Sequence, residues 1–507
     1  MVFTSPTPVT GNSSPSTLGK VYHVLAGKLF DSVSKKLISN QVITVDRDSG
    51  IILRVLDLTE FRSSTESRRW VDNGTEEEII DLTHLTILPG FVDTHVHLFL
   101  HSYAETSWTD QLTKESLPER TLRAGVHARK TLMAGFTTVR DLGTEGAEDA
   151  DIALRKCLAV LPGKKEPIIP GPRYYCAGRA IVSTGSYGPK SSLFPSKNVI
   201  EGVTGAEAAD GVDECIKTVR KQVGAGADWI KIYADYRIRS RLSDVSLEMA
   251  GTSSALFNKA ELEAMITTAH NLGVKVAAHA NNSEVMEQLL DLGVDSIEHG
   301  GNLFDDSRGT ALIKKWAESG GKTVWVPTLA VFSSLERLGF QMSESWDGVK
   351  RGFQKAVEVG GVKGAKPGGK GIRVACGGDT GAFPHGENGL EMVLMRKLGV
   401  DWTTVLSLGT LGGWECCRGM EWEGEKGRER LEAVEANVAA PKESEKSRLE
   451  RGVPFGAVRK GWAGDLVGVE GALNQDVANF ERAIMHGVNF VMKGGAIYKM
   501  DGKEIIQ

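Results

Sequence analysis

The sequence predicts an α/β fold: a parallel (β/α)8 TIM-like barrel with a small β-sandwich domain formed from both chain ends. The first observation is that short apolar runs alternate with helix-like segments from about residue 89 onward. The second is that this cycle repeats about eight times over roughly 300 residues, which is enough for one barrel. The third is that β-prone runs occur at both chain ends, before and after the cycle.

The composition is ordinary for a globular protein and excludes several classes. Of the 507 residues, 41% are hydrophobic and 25% are charged, which excludes a disordered chain, a collagen and a coiled-coil rod. The formal net charge of −5 gives no basic surplus, so neither nucleic acid nor a membrane is expected as a partner. The six scattered cysteines fit a reducing compartment, and we expect a cytoplasmic protein.

The chain divides into four expected parts. Residues 1–19 are rich in Ser, Thr and Pro and lack the pattern of a signal peptide, so we expect a disordered tail. Residues 20–88 and 453–507 contain short β-prone runs and form the expected β-sandwich domain. The barrel takes 89–420, and an insertion dense in Glu, Lys and Arg follows at 421–452. An exposed helix or mobile insertion is the simpler interpretation of that insertion, and a partner-binding segment is the alternative.

Eight short apolar runs are the expected barrel strands. Two of the intervening segments, 259–273 and 283–293, have helical periodicity and end in Leu-Gly, a common helix stop. Strand and helix in alternation favour parallel strands joined by crossover helices. The expected strands are 91–98, 136–143, 173–178, 228–234, 274–280, 295–301, 323–328 and 372–379.

Residues able to bind a metal or transfer a proton lie at or near the carboxyl ends of five expected strands. Barrel enzymes build their active sites at that end. His95 and His97 are two residues apart on one strand, so both side chains point to the same side and can bind one ion. Taken alone, each candidate residue could be a packed core residue, but the pattern of all the candidates together indicates a site. The candidates are His95, His97, Lys231, His279, His299 and Asp379.

Five motifs carry a resemblance to a known family. The pattern resembles the amidohydrolase superfamily, in its imidazolonepropionase-like or prolidase-like branch, and the wider branch includes ochratoxin-hydrolysing amidases. The similarity covers about residues 20–415 and 460–500. The motifs are ProGlyPheValAspThrHisValHis (89–97), LysIleTyr (231–233), AlaAlaHisAla (277–280), SerIleGluHisGly (296–300) and GlyGlyAspThrGly (377–381).

The resemblance implies a centre of two divalent metal ions, with Zn²⁺ as the expected metal. In the family pattern, His95 and His97 bind the more buried ion, and His279 and His299 bind the more exposed one. Lys231 resembles the lysine that reacts with CO₂ to form a carbamate, whose two oxygens bridge the ions. Its apolar strand favours the neutral amine that this reaction needs.

The resemblance also implies a mechanism and two catalytic residues, Lys231 and Asp379. A hydroxide that bridges the ions attacks the substrate carbonyl, which the exposed ion polarises. Asp379 binds the buried ion, takes the proton from the hydroxide and carries it to the leaving nitrogen.

Four further residues are candidate substrate contacts. Tyr233 lies two residues beyond Lys231 on the same strand face, and its phenol could bind a carbonyl or carboxylate. Arg237 follows closely and could bind a carboxylate in a bidentate pair. Tyr187 stands where prolidase-like relatives have the His of a ThrGlyGlyHis loop, and His385 lies near the expected mouth after strand eight. A surface or packing role is the alternative for Tyr187, Arg237 and His385.

The favoured function is hydrolysis of an amide-type C–N bond in an N-acyl amino acid, a dipeptide or an amide-bearing metabolite. One alternative is a mononuclear enzyme that opens a cyclic amide or deaminates a ring, for which one bound ion and an unmodified Lys231 would be the evidence. The other is a non-catalytic scaffold on the same fold, although all six ligand positions are filled. We expect a small-molecule substrate and a homo-oligomer.

Overall fold

The computed structural model describes most of the chain with several gaps. The predicted tail at 1–19 and the second half of the predicted insertion lie outside the described residues. In the part that is described, every helix is too short or too polar to cross a lipid bilayer. The described residues are 21–63, 77–160, 166–187, 205–237, 246, 253–303, 306–340, 344–363, 371–436 and 452–505.

Strands and helices alternate through the middle of the chain. The strands are β1 Val21–Asp31, β2 Lys36–Asp46, β3 Ile52–Asp57, β4 Glu77–Pro89, β5 Phe91–Val96, β6 Phe136–Asp141, β7 Arg173–Cys176, β8 Ala180–Val182, β9 Ala206–Ala208, β10 Trp229–Tyr233, β11 Asp235–Tyr236, β12 Ser254–Ala255, β13 Lys275–Ala280, β14 Ser296–His299, β15 Val324–Val326, β16 Val362–Lys363, β17 Ile372–Val374, β18 Leu466–Val469, β19 Val488–Lys493, β20 Ala496–Met500 and β21 Lys503–Glu504. The helices are Leu58–Ser63, Trp108–Lys114, Leu117–Met133, Ala150–Leu158, Val212–Ala225, Lys259–Asn271, Ser283–Leu292, Asp306–Glu318, Leu329–Arg337, Trp346–Lys355, Leu390–Lys397, Trp402–Leu408, Leu411–Cys417, Gly424–Ala436 and Val477–His486. Shorter turns of π- and 3₁₀-helix occur at Ala356–Gly360 and Met420–Trp422.

Both chain ends contribute to one eight-stranded sheet, in the order β21-β20-β19-β18-β4-β1-β2-β3. Many of its apolar side chains, among them Val24, Ile43 and Phe490, are buried in a core of their own. The parallel pairing of β1 with β4 and the antiparallel pairing of β4 with β18 join the two ends. A sandwich requires a second sheet that faces the first, and the predicted sandwich is not confirmed.

Parallel strands in the middle of the chain confirm the α/β class. One sheet has the order β5-β6-β7, and the other has the order β16-β17-β15-β14-β13-β10-β8-β9. A parallel bridge between Val96 and Thr380 links the first sheet to the loop after β17, and the Asp228 amide donates to the Cys176 carbonyl at 2.8 Å. The three-stranded sheet is thus linked to the larger sheet at both of its edges, β5 and β7. The result is a ring of parallel strands like that of a TIM barrel.

Local sequence explains where the helices begin and end. The Asn258 side chain accepts from the Glu261 amide at 3.1 Å, and the Glu261 carboxylate accepts from the Asn258 amide at 2.8 Å, a capping box that starts helix Lys259–Asn271. Gly293, with a φ of 73°, ends helix Ser283–Leu292 in the left-handed conformation that glycine tolerates best.

The last barrel strand is shorter than predicted. Strand β17 ends at Val374, so Asp379 lies in the following loop with a φ of 63°. The loop is held against β5 because the Asp379 amide donates to the His95 carbonyl at 2.8 Å. A Cβ atom on Gly377 would lie only 2.8 Å from the His95 amide nitrogen, so the close approach requires glycine.

The first half of the charged insertion is ordered against the barrel. Helix Gly424–Ala436 is exposed over most of its length, as predicted for an exposed helix. Trp422, just before it, is buried with its ring centroid 6.1 Å from that of Trp414. At the other end, the Trp462 indole donates to Glu435 at 2.8 Å. Buried indoles therefore fix both ends of this helix.

Candidate metal centre and substrate cavity

Four histidine rings meet at the carboxyl ends of the parallel strands. The ring centroids of His95 and His97 are 5.3 Å apart, those of His95 and His299 are 5.0 Å apart, and those of His279 and His299 are 4.5 Å apart. They come from β5, β13 and β14 or the residue just beyond, and all four line one cavity. The six predicted positions thus include four imidazoles that the fold brings together.

Asp379 completes a group with metal-ligand spacing. Its Oδ1 lies 3.3 Å from His97 Nε2 and 3.7 Å from His95 Nε2. Ligand atoms of His95, His299 and Asp379 all lie within 4.8 Å of one another, which is the spacing that one divalent ion needs. Burial alone would raise the pKa of Asp379, but His95 and His97 hold it far below its usual range, so the carboxylate stays ionised.

Hydrogen bonds to Nδ1 orient three of the rings. His97 Nδ1 lies 2.8 Å from the Gly143 carbonyl, which requires a proton on Nδ1 and leaves Nε2 to face Asp379 or an ion. His95 Nδ1 lies 2.8 Å from Glu298, and His299 Nδ1 lies 2.8 Å from the Thr328 hydroxyl. Such contacts present the Nε2 atoms to a shared ion.

The electrostatics of the rings differ with their neighbours. Burial lowers the pKa of His95 to about 4 and that of His299 to about 3, so both are neutral and able to bind a metal. Burial also opposes a charge on His97, but the adjacent Asp379 raises its pKa to about 9. Metal binding at His97 must therefore displace a proton.

Glu298 lies behind His95 and is held by a buried arginine. Its Oε1 accepts from Arg140 at 2.8 Å and from the Ser296 hydroxyl at 2.6 Å, while its Oε2 faces His95. The Arg140 guanidinium lies over the Trp229 ring, 4.4 Å from its centroid. These contacts let Glu298 support and orient the His95 ring.

Lys231 points into the same region from β10. Its Nζ is buried, with no hydrogen-bond partner among the described residues, and lies 5.5 Å from the Tyr233 ring centroid. Burial is the largest influence on this group and lowers the pKa of Lys231 to about 8. A buried amine without a partner is costly, so this atom has the environment of a group that binds or reacts with something else.

The cavity next to these residues has a volume of about 320 Å³. Three of the predicted substrate contacts, Tyr187, Tyr233 and Arg237, line it. The Tyr187 and Tyr233 ring centroids are 4.6 Å apart, and the Tyr233 ring stacks on His279 at 4.7 Å. Apolar and aromatic side chains form much of the remaining wall: Leu100, Tyr103, Trp108, Val331, Phe332, Leu335 and Phe340.

His385 does not lie where it was predicted. It is buried and is not among the residues that line the cavity, although its Nε2 lies 2.9 Å from the carbonyl of Leu100, a lining residue. Its ring stacks on His127 at 4.4 Å. The loop turns back at Gly386, which packs against Lys130 of helix Leu117–Met133. The structure therefore places His385 behind the lining and not at the mouth, and a role for it in substrate binding stays a prediction.

Two acidic residues of the cavity were missed in the sequence. Glu145 follows β6 with a φ of 50° and accepts from the Trp108 indole at 3.0 Å, from the Tyr233 hydroxyl at 3.3 Å and from the Tyr187 hydroxyl. The strand-end rule could have found it, since it comes shortly after a barrel strand. Glu344 also lines the cavity, but it precedes helix Trp346–Lys355, and no sequence signal marks it.

Comparisons with known proteins agree with this architecture. Residues 86–419 match the amidohydrolase family. Ochratoxinase of Aspergillus niger is 24% identical over 437 residues, which cover 82% of this chain and 76% of that enzyme. An uncharacterized protein of Mycobacterium tuberculosis is 25% identical over 326 residues, which cover 62% of this chain and 70% of that protein.

Solved structures show the same fold over nearly the whole chain. A Xaa-Pro dipeptidase with bound methionine superposes with a TM-score of 0.66 at 25% identity and covers 94% of this chain and 100% of its own. The A. niger ochratoxinase structure gives a TM-score of 0.66 at 19% identity, with 95% of this chain and 96% of its own covered. From the family match and these hydrolase relatives, we conclude that the chain belongs to the amidohydrolase family and is an enzyme that acts on carbon–nitrogen bonds.

Proposed function

We propose that this enzyme hydrolyses an amide-type C–N bond with the help of two divalent metal ions, with Zn²⁺ as the expected metal. The observation that carries the proposal is the convergence of four imidazoles and one ionised carboxylate at the wall of a single cavity, with the partnerless buried amine of Lys231 5.5 Å from the ring of Tyr233, which lines the same cavity. The proposed ligands are His95, His97, Lys231, His279, His299 and Asp379.

The donor set fits such a centre. Imidazole nitrogens and a carboxylate are the ligands that zinc and similar divalent ions prefer. The buried Nζ of Lys231 would be anomalous as an unmodified amine, because no described residue hydrogen-bonds to it. A carbamate formed from CO₂ would give this position a negative charge and two oxygens, which suits a pair of cations.

Divalent ions bound there would lower the pKa of a water molecule towards neutrality and polarise the substrate carbonyl. Asp379 is the proposed general base and acid, because its side chain is partly exposed to the cavity and is ionised before reaction. Glu298 and Thr328 hold His95 and His299 so that their free nitrogens keep a fixed direction.

The cavity supports a substrate with both polar and apolar parts. Arg237 is placed to bind a carboxylate, and the Tyr187 and Tyr233 hydroxyls flank Glu145 on the same wall. Relatives named as an ochratoxinase and a Xaa-Pro dipeptidase make ochratoxin and Xaa-Pro dipeptides suitable test compounds. N-acyl amino acids complete the proposed set. Homo-oligomeric assembly and a cytoplasmic location stay predictions.

A mononuclear enzyme is the second candidate. The compact group of three ligand atoms from His95, His299 and Asp379 would suffice for one ion. Such an enzyme would open a cyclic amide or deaminate a ring, and Lys231 would stay unmodified. The partnerless Lys231 Nζ favours the binuclear form instead. The family assignment favours either enzyme over the non-catalytic scaffold.

A hydrolysis screen of metal-loaded protein tests the proposal. The compounds are dipeptides, N-acyl amino acids, ochratoxin, lactams and lactones, with chelator-treated protein as the control. We expect metal-dependent cleavage of at least one linear amide and two ions per chain by elemental analysis. One ion per chain with cleavage of cyclic amides alone would replace the proposal by the mononuclear candidate. Metal-loaded protein that cleaves none of these compounds would contradict both.

A further inference from the structure

One wall of the cavity carries a carboxylate without a partner among the described residues, that of Glu344. This residue is only 3% exposed and lines the cavity. Among the described residues, none donates a hydrogen bond to its carboxylate or forms an ion pair with it. Glu145 is the other cavity acid that was missed in the sequence. It differs from Glu344 because its carboxylate accepts hydrogen bonds from an indole and two phenols.

Packing holds the Glu344 side chain in place. A Cβ atom on Gly301 would lie 2.5 Å from Glu344 Cγ, so the side chain rests directly on the turn that follows β14. That turn is fixed because the Gly301 amide donates to Asn281 Oδ1 at 2.8 Å. Glu344 therefore lies on the same side of the cavity as His279 and His299. His279 is near the end of β13, which leads to Asn281, and His299 ends β14, which leads to Gly301.

The surroundings of Glu344 are acidic. The nearby Asp235 carboxylate is buried and accepts from the Asn281 and Asn282 amides and from the Ser253 hydroxyl. Burial raises the pKa of Asp235 to about 6, and Glu344 adds to that rise. The compact metal-ligand group consists of His95, His299 and Asp379 and does not include Glu344.

A buried carboxylate is stabilised best by a cation that reaches it. Arg237 is the arginine that lines the cavity in the described part of the chain, and a guanidinium is complementary to a substrate carboxylate. The described lining thus presents a carboxylate and a guanidinium to the same small volume. This arrangement is complementary to a substrate that carries both a positive and a negative charge.

We propose that Glu344 is a specificity-determining residue that binds an ammonium or guanidinium group of the substrate. The inference rests on the proposed function and narrows it: among amides, the enzyme prefers those with a cationic group that can reach the turn after β14. The cation is either the free α-amino group or a basic side chain, since both present the same chemistry to a carboxylate.

Matched substrates test the proposal in the metal-loaded enzyme. Each pair differs only in charge: a lysine-containing dipeptide against its norleucine analogue, and a free dipeptide against its Nα-acetyl form. We expect the parent to favour the cationic member of at least one pair by about tenfold or more. In Glu344→Gln this preference should vanish through a higher KM for the cationic member, with the neutral member changed less than about twofold.

A control variant and a binding assay separate this proposal from the proposed function. Glu336→Gln removes an exposed acid from the neighbouring helix Leu329–Arg337 and should keep the parent preference. If none of the peptides is cleaved, calorimetry with L-lysine, L-norleucine and Nα-acetyl-L-norleucine still tests Glu344. Tighter binding of a cationic compound that is lost in Glu344→Gln supports the proposal. The proposal is overturned if the parent and Glu344→Gln bind the cationic compounds equally well. It is also overturned if the substitution lowers kcat/KM equally for cationic and neutral substrates.

Discussion

Arg140 Nη2 lies 2.8 Å from Glu298 Oε1, and both side chains are completely buried beneath the histidine cluster. The second oxygen of Glu298 is 2.8 Å from His95 Nδ1, so a guanidinium, a carboxylate and an imidazole form a continuous chain. Burial opposes the charge on Glu298, but Arg140 and His95 hold its pKa far below the usual range. An ionised carboxylate at this point fixes the ring and increases its basicity towards a metal.

Glu298→Gln should weaken metal binding without removing a proposed ligand. The amide keeps the shape of the side chain but loses the charge opposite His95. We expect metal affinity to fall by about 10- to 100-fold, measured by competition with a chelating dye. Glu287→Gln, which alters a partly exposed ion pair with Lys315, is the control and should bind metal like the parent. Unchanged affinity in Glu298→Gln would show that the contact does not tune the site.

Arg140→Met should destabilise the fold because it leaves a buried carboxylate without its counter-charge. Breaking a buried ion pair by removing one partner costs about 3–5 kcal/mol. Urea unfolding of the metal-free protein measures this loss in the free energy of unfolding. The double variant Arg140→Met/Glu298→Gln removes both charges and should recover part of it. The explanation would be contradicted if the double variant lost more free energy of unfolding than the two single variants lose together.

Asp379→Asn should abolish most of the hydrolytic activity while the protein stays folded. The amide cannot accept the proton that the proposed mechanism transfers, and general acid–base catalysis contributes about 10²–10⁴-fold to a rate. The rate is measured with whichever amide the screen identifies, and elemental analysis of the same sample reports bound metal. A hydrogen bond of 2.8 Å from Asn388 to Asp93 lies close to Asp379, and the substitution should leave it intact. Circular dichroism of the variant should therefore match that of the parent. A variant with full metal content and the parent rate would contradict a proton-transfer role for Asp379.

The sequence predicted the parallel strands and the convergence of the metal-ligand candidates well, because these depend on local rules. His95 and His97 share one strand face, and β13 and β14 bring His279 and His299 to the same end of a parallel sheet. A small error arose at β17, where glycines allow the loop of Asp379 to fold back on β5.

The wall of the cavity could not be predicted in the same way. His385 is buried against His127 and is not among the residues that line the cavity. Glu344 reaches the cavity from just before helix Trp346–Lys355, which is distant in sequence from the turn after β14 that it contacts. Both positions depend on tertiary packing of loops, which local propensity does not encode. Glu145 is the intermediate case, since it follows β6 but adopts a positive φ that its sequence does not reveal.

Recovery of activity after metal removal should depend on CO₂. If Lys231 forms a carbamate, metal-free enzyme given Zn²⁺ in CO₂-depleted buffer should regain activity slowly, and added bicarbonate should accelerate recovery. The buried amine has a pKa lowered to about 8, so a neutral fraction is available to react. Lys231→Ala should bind fewer ions per chain than the parent. Recovery that is equally fast with and without bicarbonate would argue against the carbamate.

His127 should make the fold sensitive to acid. Its Nδ1 lies 2.8 Å from the Leu98 carbonyl, and burial lowers its pKa to about 4. The unfolded chain, with a histidine pKa near 6.5, binds a proton more readily, so stability is lost as pH falls from about 6.5 towards 4. Each such histidine contributes a slope of up to about 1.4 kcal/mol per pH unit in that window.

His127→Asn keeps a donor near the Leu98 carbonyl but cannot titrate, so it isolates this contribution. Between about pH 7.5 and about pH 5, we expect the variant to lose less unfolding free energy than the parent in urea titrations. The other buried histidines still titrate, so the variant keeps part of the acid sensitivity. His486→Asn, at the exposed end of helix Val477–His486, is the control and should follow the parent. Equal losses for His127→Asn and the parent would mean that a neutral buried ring at 127 does not limit stability in acid.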